Sequence, residues 1–239
     1  MLKAVTVDQS FFDTFPGAQV NILFADGIDN HEAKLSELDR KKKLNAAMDA
    51  ADDFLGEGQF AKNPVVAEWR AAYQQFKKKK GARASIEALL KRVDNGKGVG
   101  PVDPLVDVYN AVSLRNGVPV GIEDRDKIQG TLRLGVVEAG LNFQPVGADK
   151  DEPTLEGEIA WHDGEGAVCR CLNWRDAQRT MLDDDSTKIV AVIESVNPAQ
   201  AERANKAMAE LAQEIEDCFG VKPSTNVVLT ADQPTVTAD

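Results

Sequence analysis

The segment Lys188-Ile-Val-Ala-Val-Ile-Glu-Ser195 constrains the fold most. Residues 187–196 are rich in Ile and Val, so a long apolar strand is predicted there. Asn197-Pro198 follows at once and reads as a helix start. Glu194 interrupts the apolar strand, and an ionised carboxylate in such a place is costly unless paired. Two partners would suit it: an arginine of the chain, or the ammonium group of a substrate. A buried carboxylate also titrates abnormally, and such groups mark functional sites.

The other patterns fall around this strand. Residues 18–24 alternate as a strand. Asn30 is a candidate cap for a helix running to Leu55, with Gly56 as its stop. Asn63-Pro64 opens a second helix whose Val65, Trp69, Ala72 and Phe76 share one face, and which runs on to Gly81. Ser85 begins a third, burying Ile86, Leu89, Leu90 and Val93. A fourth is expected over about 104–115, ended by Asn116-Gly117. Strands are predicted at 131–135 and 141–146. Glu156–Trp161 and Ala167–Cys171 flank the turn Asp163-Gly-Glu-Gly166 as a hairpin. An amphipathic helix from Asn197 to Phe219 buries Ala201, Ala204, Met208, Leu211, Ile215 and Cys218. Thr230–Asp239 reads as a tail. Helices, then strands, then a helix predict an α+β fold. The expected division is an N-terminal strand and helix region at 1–62, a main domain at 63–220 and a C-terminal strand or tail at 221–239.

Charge limits the partners. The net charge is −11. Residues 1–100 carry 16 Lys and Arg against 14 Asp and Glu, while residues 101–239 carry 12 against 25. The acidic second half argues against extensive nucleic-acid contact. The runs Arg40-Lys-Lys-Lys43 and Lys77, Lys78, Lys79, Lys80 either meet phosphates or are solvated helix ends. No apolar run is long enough for a transmembrane helix, and the N-terminus has no secretory pattern, so a cytoplasmic protein is expected. Three cysteines, two of them in the C-x-C spacing Cys169-Arg-Cys171, make no disulfide framework. With only His162 nearby, they fall short of a zinc ligand set. No metal and no cofactor is expected.

Three polar clusters stand where burial is expected. Asp107, Asn110 and Ser113 are spaced by three and share a helical face, where Asn110 offers both donor and acceptor. Alternatively, Asp107 and Asn110 bridge loops. Arg170 and Arg175 present forked donors suited to a carboxylate or phosphate, beside the flat face of Trp174, or else join a structural ion-pair network. Glu194 is the third. Neither His31 nor His162 sits beside a nucleophile, which argues against a Ser-His or Cys-His hydrolase. Such a site binds and positions a molecule rather than attacking it covalently.

From roughly Val66 to Leu211 these residues resemble the freestanding B3/4-domain proteins, relatives of the editing domain in the β subunit of bacterial phenylalanyl-tRNA synthetase. The matching segments are Trp69-Arg70 with Tyr73 and Phe76, then Arg83-Ala-Ser-Ile-Glu-Ala-Leu-Leu90. Next come Asp103-Pro-Leu-Val-Asp-Val-Tyr-Asn-Ala-Val-Ser-Leu114 and Pro119-Val-Gly121 with Asp124. Cys169-Arg170, Asn173-Trp-Arg175, Thr180 and the strand ending at Glu194 complete the set. The resemblance implies a β-sandwich-like core with flanking helices and a helical N-terminal region. In the synthetase, that domain hydrolyses tyrosine wrongly attached to phenylalanine tRNA. Asn110 falls on an editing-pocket asparagine and Glu194 on the glutamate that reads the noncognate amino acid. Tyr109 replaces a threonine and Gly121 replaces a histidine, so the pocket is remodelled and tyrosine specificity does not carry over. The implied mechanism uses neither metal nor covalent nucleophile. A water is placed beside the aminoacyl ester, with help from the terminal ribose hydroxyl.

Trans-acting deacylation of mischarged tRNA is therefore the leading expectation. Asn110, Glu194, Tyr109, Ser113, Arg170, Asn173 and Arg175 are the candidate substrate contacts, and Lys77–Lys80 the candidate contacts to tRNA. Two rivals stand beside it. One is a noncatalytic tRNA- or RNA-binding module. The other is a protein for a small amino acid or carboxylate, with Glu194 on the ammonium and an arginine on the carboxylate.

Overall fold

The computed structural model describes residues 1–56 and 58–238. In chain order the elements are β1 (Leu2–Val7), α1 (Gln9–Thr14), β2 (Gln19–Asp26), α2 (Glu37–Leu55), α3 (Pro64–Ala72), α4 (Ser85–Asp94) and α5 (Pro104–Asn116). Then come β3 (Gly121–Asp124), β4 (Gly130–Val137), β5 (Glu158–His162), β6 (Ala167–Arg170), β7 (Arg175–Asp176), β8 (Lys188–Ser195), α6 (Pro198–Phe219), β9 (Thr225–Leu229) and β10 (Thr235–Thr237). The fold is α+β, with two sheets. One has the order β10-β1-β4-β5-β6-β7, the other β3-β8-β2-β9. Among the strands of the described residues, only β1 and β4 pair in parallel.

The sheets share a core. Val5, Leu132, Leu134, Ile159 and Trp161 from the first meet Val20, Ile22, Val190, Val192 and Leu229 from the second. The opposite face of the second sheet packs Leu23, Ala25, Ile189, Ala191 and Ile193 against Ala204, Ala207, Met208, Leu211 and Ile215 of α6 and Leu105 and Val112 of α5. Strand β8 is thus covered on both sides, which explains its unbroken apolar run. No helix among the described residues is long and apolar enough to cross a membrane.

The helix starts follow local chemistry. Asn63, Asp103 and Asn197 each accept a backbone N–H of the first turn, and each precedes a proline at the first helical position. Gly117 and Gly220 end α5 and α6 in the left-handed conformation. The expected start at Asn30 is corrected to Ser36, whose side chain accepts from Asp39 N. Asn30 is buried and serves another helix. Its Oδ1 accepts from Leu105 N at 3.0 Å, and its Nδ2 donates to the Asp183 carbonyl at 3.2 Å.

Three other expectations change. Helix α3 ends at Ala72 rather than Gly81, because Lys77 leaves the helix to bridge Glu158 and donates its N–H to the Gly157 carbonyl. Residues 141–146 form no ladder beyond one bridge, Pro145 to Ala177. Pro145 lacks a donor, and Leu141 and Phe143 bond instead to the 152–154 loop. The C-terminal stretch is no loose tail over its described length, since β10 pairs with β1. Asp239 lies outside the described residues. Both termini enter the sheets, with β2 between β8 and β9 and β1 between β4 and β10.

Removing the Asn30 side chain leaves the α5 start with an unsatisfied buried N–H. Asn30→Ala should lower the unfolding free energy by about 1–2 kcal/mol, read from denaturant curves. A change within a few tenths would contradict the bridging role.

Candidate functional site

A cavity of about 250 Å³ opens where β4, β5 and β6 of one sheet face β3 and β8 of the other. Helices α4 and α5 close it, through Leu89 and Arg92 on one side and Tyr109 and Asn110 on the other. Its apolar wall is Leu132, Trp161, Val168 and Val192. Gly121 leaves room on this wall, since a β-carbon there would stand 3.2 Å from Val192 Cγ2. The volume is a little under the roughly 300–1,000 Å³ of drug-sized pockets, and suits a group the size of one amino acid.

Three carboxyls line the cavity: Glu123, Asp176 and Glu194. Glu194 does not pair with an arginine. Trp161 Nε1 donates to its Oε1 at 2.6 Å, and Asn173 Nδ2 donates to its Oε2 at 3.1 Å. Tyr73 donates to Asn173 Oδ1 at 3.0 Å and fixes that amide. Burial pushes the Glu194 carboxyl above its ordinary range, and the two hydrogen bonds oppose the shift.

Sequence reasoning missed the other two acids as a unit. Glu123, on β3, and Asp176, on β7, lie within hydrogen-bonding reach of each other. Glu123 is 5% exposed, and no donor reaches its Oε2. Burial raises the Glu123 carboxyl well above the usual range, and the neighbouring Asp176 charge adds to the rise. Burial raises Asp176 as well. Glu123 is buried and Asp176 half-buried, and two neighbouring carboxyls in such a place cannot both ionise cheaply, so the arrangement favours a proton shared between them. The signal in the sequence is faint. Gly121-Ile-Glu-Asp124 is a short acidic stretch resembling any loop.

The arginines divide. Arg170 is 1% exposed and holds Glu158, itself 0% exposed, through bonds of 2.9 and 2.7 Å. It is corrected from a substrate contact to a structural ion pair, sealed inside the protein. Glu158 Oε1 also accepts the N–H of Cys171 at 2.8 Å. Burial alone would raise the Glu158 carboxyl, but its bonds to Arg170 and the backbone outweigh that and leave it lowered. Cys171 and Leu172 have φ of 48° and 69°, a left-handed pair that side chains disfavour by about 1–3 kcal/mol each. The pair turns the chain so that Asn173 and Trp174 reach the cavity. Arg175 is exposed, lies 5.1 Å over the Trp174 ring, and borders a second, more open groove.

Ser113 is corrected too. It faces away from the cavity, and its hydroxyl donates to the Val118 carbonyl at 2.5 Å. Asp107 is spent on Arg40 and on Val102 N. Tyr109, Asn110 and Asn173 do line the cavity. None of Lys77–Lys80 does. Lys78 donates to the Tyr73 carbonyl, Lys79 pairs with Glu152, and Lys77 and Lys80 are exposed. Arg40, Lys42 and Lys43 pair with Asp107, Asp39 and Glu214. All three cysteines are free and buried.

A model of the B3/4 domain matches residues 68–220. The chain belongs to the B3/4 domain family. It is also similar to a solved N-terminal fragment of the phenylalanyl-tRNA synthetase beta-subunit from Pyrococcus horikoshii, with 11% identity and a TM-score of 0.51 over 96% of this chain and 54% of that one. At that identity the likeness is one of fold, and the chain spans about half the length of the fragment. No curated protein matches the sequence.

Two predictions follow from the buried charges. Arg170→Met strands Glu158 and should cost roughly 3–5 kcal/mol; an unfolding midpoint equal to that of the parent would refute the ion pair's importance. Glu123 and Asp176 keep a proton that the unfolded chain loses near pH 4, so stability falls as pH rises from there toward the raised native values, by up to about 1.4 kcal/mol per pH unit for each extra proton kept. Glu123→Gln should flatten that fall and raise stability at neutral pH. Unfolding curves across the acid-to-neutral range decide it, and an unchanged slope would count against the shared proton.

Proposed function

We propose that this protein hydrolyses the ester of mischarged aminoacyl-tRNA, acting in trans. The observation that carries this reading is the sign of the cavity. Its lining holds three carboxyls, and its single cation, Arg92, is exposed at the mouth and bonds to the Gly98 carbonyl. A free amino acid would bring a carboxylate into this negative field. An esterified one brings only its ammonium, so the charge favours the ester over the free acid. Membership of the B3/4 family and the fold shared with a phenylalanyl-tRNA synthetase fragment support the same substrate class.

A second groove of about 670 Å³ shares Tyr109, Trp174 and Asp176 with the cavity and adds Arg175. In this reading the amino acid enters the closed cavity and the terminal nucleotide of the tRNA lies in the open groove. Trp174 offers a stacking face there and Arg175 a charge for phosphate. Asn110, half-buried on the cavity wall next to the shared Tyr109, meets the ester end. Glu194, anchored at both oxygens, faces the amino-acid side chain. With the substrate so held, a positioned water and preorganised donors supply the acceleration. Tyr109 and Gly121 shape the wall that selects the amino acid. The noncatalytic RNA-binding alternative leans on the lysine runs, and most of those side chains have intramolecular partners.

Purified protein presented with a panel of mischarged tRNAs should deacylate one or a few species. Glu194→Gln and Asn110→Ala should each lower that rate by about 10²-fold or more, on the scale of losing one preorganised polar group. Parent-like rates in both variants, or no hydrolysis of any species, would overturn the proposal.

A further inference from the structure

We propose that the Glu123–Asp176 pair is the seat for the primary ammonium of the ligand, and that the ammonium displaces a proton the two carboxyls otherwise share. The inference deepens the editing reading and rests on it for the ligand's class: an amino acid whose carboxyl is esterified or amidated.

The argument begins with which acid has capacity left. Both oxygens of Glu194 already accept from Trp161 and Asn173. Glu123 lines the cavity, and its Oε2, buried just behind that wall, has no donor. A buried acceptor left unsatisfied costs about 1–3 kcal/mol, so a ligand donor placed there gains directly. An ammonium has three N–H groups and one charge. It can bond to Glu123 and Asp176 together and neutralise one of their two charges, as the shared proton does.

The surroundings decide whether that proton leaves. Arg179 and Lys127 are the cations nearest to Glu123. Arg179 is held by Asp163 at 2.9 and 2.6 Å, and Lys127 by Asp183 and the Met181 carbonyl. Neither is bonded to the pair. From β6 the Cys169 thiol faces Asp176, and burial pushes it far above its usual value, so it stays protonated. From α5, Tyr109 faces Asp176 and Glu123 with its phenol also raised by burial and by those charges. From β8, Glu194 adds negative potential at Asp176. Thr180 is buried beside Glu123, and its hydroxyl is a neutral donor that bears on that carboxyl without cancelling its rise. Everything facing the pair is therefore neutral, negative or already bonded elsewhere. One cation is the charge the pair lacks, and proton and ammonium compete for one place. Each ammonium seated sends one proton to solvent, and no covalent bond to carbon changes. The apolar walls Leu132, Val168 and Val192 then fit an apolar side chain on the ligand.

The test is calorimetric titration of the whole chain with L-phenylalaninamide and L-leucinamide, which carry the ammonium but resist hydrolysis. At about pH 6 the ligand amine is fully protonated. In buffers of different ionisation enthalpy, the parent protein should release about one proton per amide bound, as linkage requires. Glu123→Gln and Asp176→Asn should each lose most of that release and bind at least about tenfold more weakly, the loss expected for one charged hydrogen bond. Glu194→Gln should keep the release, which a merely structural role for the pair would not produce. N-acetyl-L-phenylalaninamide, with no ammonium, should release none. Binding of the amides without proton release, release that persists in both pair variants, or no binding of either amide would overturn the inference. Deacylation with no proton-linked amide binding defeats the inference alone. Proton-linked amide binding with no deacylation defeats the editing reading alone.

Discussion

The buried pair between Glu158 and Arg170 is the interaction on which the site depends. It lies beside the cavity and lines none of it. Glu158 accepts the Cys171 N–H, Leu172 N bonds to the Ile159 carbonyl, and these bonds hold two residues in a conformation they resist. The next residue is Asn173, whose amide ties Tyr73 to Glu194 and whose carbonyl accepts the first N–H of α4. A buried ion pair is weak evidence for net stability. Here its use is positional, because it converts a disfavoured turn into a fixed address for three cavity elements.

Charge then does what geometry alone cannot. Three carboxyls in one small space would repel each other if all were ionised, and the protein answers each differently. Glu194 receives two hydrogen bonds, which favour its charged form and offset part of the rise from burial. Glu123 and Asp176 receive none of comparable quality and share a proton instead. The cavity therefore has one carboxyl bonded at both oxygens and one pair whose charge is adjustable. A ligand with a single positive end and an apolar body complements both. A zwitterion does not, because its carboxylate would need a cation inside the cavity.

Much of the fold is legible in the sequence because its signals are local. The Asn-Pro and Asp-Pro helix starts, the Gly117 stop and the β8 run each depend on a few neighbouring residues. The misread elements depend on distant ones. Asn30 has the chemistry of a cap and does bind a helix start, but that of α5, 75 positions away. Helix α3 stops because β5 needs Lys77, which no window around Lys77 reveals. The site follows the same division. Glu194 is legible because a carboxylate breaks an apolar run. Arg170 and Arg175 look equivalent in sequence, and only burial separates a sealed ion pair from an exposed side chain. Glu123 is illegible because its meaning comes from Asp176, brought beside it by the facing of two sheets.

The sheets also tie the site to parts of the chain outside the family match. Strand β8, which carries Glu194, pairs with β2 through eight residues and with β3 through four. Strand β2 precedes residue 68, where the match begins, and its other neighbour, β9, follows residue 220. In the first sheet, β4 contributes Leu132 to the cavity and has β1 as one of its two partners. A segment limited to 68–220 would leave β8 and β4 each with an open edge, a state prone to association. The outer strands therefore belong to the site's support. Since a one-residue slip of β8 would turn Glu194 to the other face of its sheet, the eight-residue register of β8 with β2, a strand that lines none of the cavity, helps decide whether Glu194 faces the cavity.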